Sequence, residues 1–134
     1  MKEVLVDTSA LIALVDADDQ KHGLVTHWLK NRAQNVRLVL TDYIFDECIT
    51  LLKARFGTKA AISFGQRIRS SEFCRFVHLT PQDEAATWQV FVEYGDKDWS
   101  YTDCSCLAVM QHLGIQEALS TDYHFRQMAI TVVP

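Results

Sequence analysis

Short apolar runs alternate with longer amphipathic ones along the whole chain. Val4 to Val6, Arg37 to Leu40, Phe76 to Val77, Ala118 to Leu119 and Ile130 to Val133 are brief stretches of the kind that form buried strands. Between the first two, Leu11, Leu14 and Val15 recur at helical spacing behind Thr8 or Ser9, either of which serves as a cap. A second helix is predicted from Gln20 to Ala33. Thr41 caps a third that carries Ile44, Cys48, Leu51 and Leu52, and a fourth runs from Thr58 to Arg69 after the break at Gly57. Thr80-Pro81-Gln82-Asp83 joins a hydroxyl cap, a proline at the first helical position and a first-turn carboxylate, and opens a fifth helix that reaches Tyr94. The last opens at Ser100 or Thr102, turns Cys106, Leu107 and Met110 inward and stops near Gly114. Strands alternating with helices predict an α/β fold with a mostly parallel sheet covered on both faces.

Composition narrows the class. With 134 residues, 49% hydrophobic and 22% charged, the chain has the size and apolar content of one domain, residues 1–134. No apolar run approaches the roughly 18 residues that a membrane helix needs, and acidic residues come too early for a secretory signal. A soluble, cytoplasmic protein is expected, with Cys48, Cys74, Cys104 and Cys106 as free thiols. Cys104 and Cys106 lie roughly 200° apart on a helix, which does not suit a shared zinc. The five glycines are too scattered for a nucleotide-binding loop, and neither GxSxG nor HExxH occurs.

The chemistry then rests on carboxylates in awkward places. Asp7 follows the first strand directly, and Asp122 follows the fourth, so both stand where open α/β sheets bind ligands. Glu47 shares the stripe of Ile44, Cys48 and Leu51 that faces the core, and Asp103 occupies the equivalent slot ahead of Cys106, Leu107 and Met110. Taken singly, Asp7 or Asp103 is accounted for as a helix-start carboxylate, Glu47 as a side chain that snorkels to water and Asp122 as a turn residue. Jointly they predict one crevice of four acids, which must protonate in part or hold cations. Oxygen ligands without His or Cys select Mg²⁺ or Mn²⁺, a site suited to phosphodiester hydrolysis.

Four sequence pieces carry a resemblance across essentially the whole chain: Val6-Asp7-Thr8-Ser9, Thr41-Asp42-Tyr43-Ile44-Phe45-Asp46-Glu47, Asp98-Trp99-Ser100-Tyr101-Thr102-Asp103 and Leu119-Ser120-Thr121-Asp122-Tyr123-His124-Phe125. In order and separation they resemble the PIN-domain nucleases. That resemblance implies a Rossmann-like sheet in an α/β/α sandwich, dependence on Mg²⁺ or Mn²⁺ and endoribonuclease activity on single-stranded or loop RNA. It implies Asp7, Glu47, Asp103 and Asp122 as the catalytic, metal-binding quartet. Ser9, Ser100 and Thr121 would then orient carboxylates or contact a phosphate. A domain of this size standing alone is similar to the VapC-type toxins of toxin–antitoxin pairs, which implies a homodimer and a cognate antitoxin. Asp46 is read as a solvated neighbour of Glu47, and His124 as a surface or packed histidine in preference to a phosphate contact. Tyr43, Trp99 and Tyr101 are candidates to stack on unpaired bases.

Two other readings stand beside this one: a PIN-like module that binds RNA or a partner without cutting, and an aspartyl-phosphate phosphatase or receiver domain. The last is disfavoured because Ser9 stands where such a phosphatase needs a second Asp. The net charge of −4 taken as a total opposes nucleic acid, but its distribution does not. Lys53, Arg55, Lys59, Arg67, Arg69 and Arg75 fall close together with only Glu72 against them, a candidate RNA-contacting arm beside Glu47. A solvated helical hairpin accounts for the same charges equally well.

Overall fold

Five parallel strands carry the fold in the computed structural model, which describes residues 1–32, 34–72 and 74–134. In chain order they are β1 (Lys2–Val6), β2 (Val36–Thr41), β3 (Cys74–Val77), β4 (Glu117–Leu119) and β5 (Thr131–Val133). Across the sheet they run β3-β2-β1-β4-β5. Each predicted apolar run falls on one of them. In β1, Leu5 lies beside Val39 of β2 on one side and Ala118 of β4 on the other, and all three are fully buried. Burial of both sheet faces explains why these runs are continuously apolar and do not alternate.

Among the described residues six α-helices fill the connections: α1 (Thr8–Val15), α2 (His22–Arg32), α3 (Asp42–Phe56), α4 (Thr58–Ser70), α5 (Pro81–Glu93) and α6 (Tyr101–Leu113). The predicted end of the second helix, Ala33, lies outside the described residues. Strand order grows from β1 to β3 and then returns to the other side of β1 at β4. Right-handed crossovers therefore send the first two connections over one face and the third over the other, giving three layers. The reversal leaves a crevice at the carboxyl ends of β1 and β4, the point where such sheets bind ligands. Among the described residues no helix is long and apolar enough to cross a membrane.

Local chemistry fixes the helix starts. Ser100, not Thr102, caps α6: its hydroxyl accepts the Asp103 amide while the Asp103 carboxylate accepts the Ser100 amide. The helix runs through Cys104 to Met110, all buried, and ends at Gly114, whose φ of 68° is the left-handed turn that glycine adopts without strain. Thr80 and Asp83 build the same reciprocal cap on α5, where the Asp83 carboxylate also meets His112 Nδ1 at 2.7 Å. At α1 the cap is Asp7, neither Thr8 nor Ser9. The Asp7 amide donates to the Leu119 carbonyl at 3.1 Å, which keeps Asp7 extended as the end of the sheet and makes Thr8 the first helical residue. A 3-10 turn at Tyr123–Gln127, too short to leave a periodic trace, follows β4 and is anchored by the fully buried Phe125.

Candidate active site

Each of the four acids predicted from sequence is set by a different element, and all four line one cleft of about 270 Å³. Asp7 directly follows β1 and is 5% exposed. Its Oδ1 accepts the Ser9 hydroxyl at 2.7 Å and the Ala10 amide at 3.1 Å, and its Oδ2 accepts the Ser120 hydroxyl at 2.8 Å. Burial pushes the Asp7 carboxyl from 3.8 up to about 7. The three hydrogen bonds pull it down in part, and Asp122 pushes it further up. Asp103, in the first turn of α6, is likewise raised by burial and by the charges of Asp122 and Glu47. Asp122 caps the 3-10 turn, its Oδ1 accepting the His124 amide at 3.0 Å. Glu47 reaches the cleft from the middle of α3.

The hydroxyls tie this cluster together. Ser9 donates to Asp7 and accepts the Thr121 amide at 3.0 Å, which couples α1 to the loop after β4. Ser100 acts on Asp103 through the cap described above. Thr121 lines the cleft. Ser120, 2% exposed, was not singled out from sequence, yet it donates to Asp7 and accepts the Asp122 amide at 3.0 Å, joining two acids. Its only signal is its position, the first polar residue after β4.

The basic stretch divides. Arg55 lines the acidic cleft. Lys53 and Arg69 line a separate apolar groove between α3 and α4, where the Arg69 guanidinium lies 5.3 Å from the Phe45 ring centre and 5.2 Å from that of Phe76. Arg67 borders a third groove, between α1 and α4, and Lys59 lies in the exposed first turn of α4. Arg75 turns toward the start of β1, where it meets both Glu3 oxygens at 2.9 and 3.1 Å.

The aromatics divide as well. Trp99 is 6% exposed, packs on Tyr94 and donates its indole N–H to Gln127 at 2.8 Å, so its face is not free to stack on a base. Tyr43 and Tyr101 lie 6.3 Å apart at the starts of α3 and α6. His124 is packed, as one of its two expected readings had it: its ring lies against Tyr123, and its ring nitrogens are buried without a hydrogen bond beside Asp122 and Asp103.

A parallel α/β sheet with an acidic cleft at its switch point defines a class, and the sequence profile described as PIN domain matches residues 4–130. The chain belongs to the PIN-domain family. Among its relatives is the 23S rRNA-specific endonuclease VapC20 of Mycobacterium tuberculosis, 32% identical over 122 residues and covering 91% of each chain. Ribonuclease VapC36 of the same organism is 32% identical over 128 residues, which are 92% of this chain and 88% of the relative. The crystal structure of VapC20, a sarcin–ricin loop cleaving toxin, superposes with a TM-score of 0.87 at 30% identity, covering 98% of this chain and 99% of that one. VapBC2 from Rickettsia felis, bound to a DNA fragment from its promoter, shares the fold at a TM-score of 0.74 with 9% identity, covering 97% of this chain and 96% of that one.

Proposed function

We propose that this chain is a divalent-metal-dependent endoribonuclease of the VapC type, the toxin of a toxin–antitoxin pair, acting on an exposed loop of 23S ribosomal RNA. The observation that carries the reading is the convergence of Asp7, Glu47, Asp103 and Asp122 from four elements into one cleft. The cost of holding a carboxyl as buried as Asp7 among like charges is explained if a cation is its normal partner.

In this reading the four carboxylates would hold Mg²⁺ or Mn²⁺, which when bound would supply Lewis acidity toward the scissile phosphodiester and the attacking water. Ser9 and Ser120 orient both Asp7 oxygens, and the α6 cap orients Asp103. Arg55, at the same cleft, offers a fixed positive charge to a backbone phosphate. A non-catalytic module has no use for this set, and a phospho-aspartyl mechanism finds Asp7 enclosed, 5% exposed and bonded through both oxygens. VapC20 and VapC36 support the substrate class, and the description of VapC20 as a toxin supports the toxin role and with it an antitoxin partner.

The test is cleavage of an RNA hairpin carrying the sarcin–ricin loop, with Mg²⁺ or Mn²⁺ present. The wild type should cut once within the loop, and Asp7→Asn and Asp103→Asn should not. Cleavage that persists equally in both variants assigns the activity to a contaminant and removes the proposed site.

A further inference from the structure

His124 lies against the acidic cluster and presents unused donor chemistry. One ligand atom from each of Asp103, Asp122 and His124 lies within 4.8 Å of the others. Both His124 ring nitrogens are buried and neither makes a hydrogen bond. Buried polar atoms in that state are costly, and those that persist usually have an unseen partner. His124 Nδ1 stands 2.9 Å from Asp122 Oδ1 without the alignment of a hydrogen bond, and that oxygen already accepts the His124 backbone amide. Two adjacent ligands on an octahedral ion, each about 2.1 Å from it, are themselves about 3.0 Å apart. The pair therefore has the spacing of neighbours on a shared cation. The ring is held in place by the 3-10 turn: Phe125 anchors the segment in the core, and the Tyr123 ring packs on His124 with centroids 4.3 Å apart.

We propose that His124 is a ligand of the divalent ion, bound together with Asp103 and Asp122, so that the site presents nitrogen as well as oxygen. This rests on the metal-dependent reading above and changes its selectivity. Mg²⁺ takes oxygen ligands and gains little from an imidazole, whereas the first-row divalent ions bind nitrogen as well as oxygen, and Mn²⁺ is the member of that series that also suits carboxylates. His124 thus tilts the site toward Mn²⁺, in contrast to the all-oxygen set expected from the sequence.

The experiment loads the metal-stripped full chain with Mn²⁺ alone and records electron spin-echo envelope modulation, which detects nitrogen bonded directly to the ion. The wild type should show ¹⁴N modulation, absent from His124→Gln and His124→Ala. Calorimetric Mn²⁺ affinity should fall roughly 10-fold or more in both variants, with a smaller loss for Mg²⁺. Metal-free melting of His124→Gln, which keeps most of the side-chain volume, should match the wild type. Tight Mn²⁺ binding without ¹⁴N modulation in the wild type, or modulation that survives in His124→Gln, overturns the role of His124 and leaves the carboxylate site standing. A wild type that binds no Mn²⁺ overturns both.

Discussion

Asp7 concentrates the conflict between folding and function in one side chain. Its carboxyl is pushed from 3.8 up to about 7, mainly by burial, so between those values the folded protein keeps a proton that the unfolded chain has released. Metal-free stability should therefore be greatest at low pH within this window, fall as pH rises through it and level off above about 7, a difference on the order of 4 kcal/mol. Asp7→Asn keeps the cap on Ala10 and removes the charge. Its metal-free melting temperature should lose this contribution to the pH slope and, at pH 8, lie at or above that of the wild type, while cleavage falls roughly 100-fold or more. Thermal melts in chelator from pH 4 to 8 check the first part. The four acids were legible because a charge at a strand end or on a core-facing helical stripe breaks a pattern. Ser120 and His124 were not, because a small hydroxyl after a strand and a lone histidine break none.

At the scale of elements, two capping boxes of the same design do different jobs. Thr80 and Asp83 start α5 outside the cleft, whereas Ser100 and Asp103 start α6 and aim one of the acids. Thr80→Ala and Ser100→Ala should each cost about 1 kcal/mol of stability in denaturant titrations. Only Ser100→Ala should also slow RNA cleavage at saturating metal. The caps at Thr41 and Thr80 could be read from residue types alone, and at α6 the choice narrowed to Ser100 or Thr102. At α1 three capping residues follow one another, Asp7, Thr8 and Ser9, and residue type cannot choose among them. The choice is made by the Asp7 amide bond to Leu119, a contact across 112 positions that no local pattern encodes.

For the whole molecule, charge matters by where it lies. The acidic excess of four equals the number of proposed metal-binding acids in the cleft, which Asp19 also lines, so metal-free protein should repel RNA there and metal-loaded protein should accept it. Linear charge counting marked a basic stretch from Lys53 to Arg75, but α3, α4 and β3 point these side chains in several directions, and Arg55 alone among them lines the acidic cleft. Arg55→Gln should weaken single-stranded RNA binding and reduce its logarithmic salt slope by about 0.7, as expected for one lost phosphate contact. Arg75→Gln, which breaks the pair with Glu3, should leave both unchanged. Fluorescence anisotropy over a salt series separates the two.

In the proposed function a cation held by four carboxylates makes this cleft a ribonuclease. The most direct measurement is the single-turnover cleavage rate of a loop RNA by chelator-treated protein as Mn²⁺ is added back, followed alongside Mn²⁺ occupancy. Cleavage should be absent without metal and its rate should rise in proportion to occupancy, and Asp103→Asn should show neither binding nor cleavage at the same Mn²⁺ concentrations. Cleavage undiminished in chelator, or a rate that does not follow occupancy, would contradict that function.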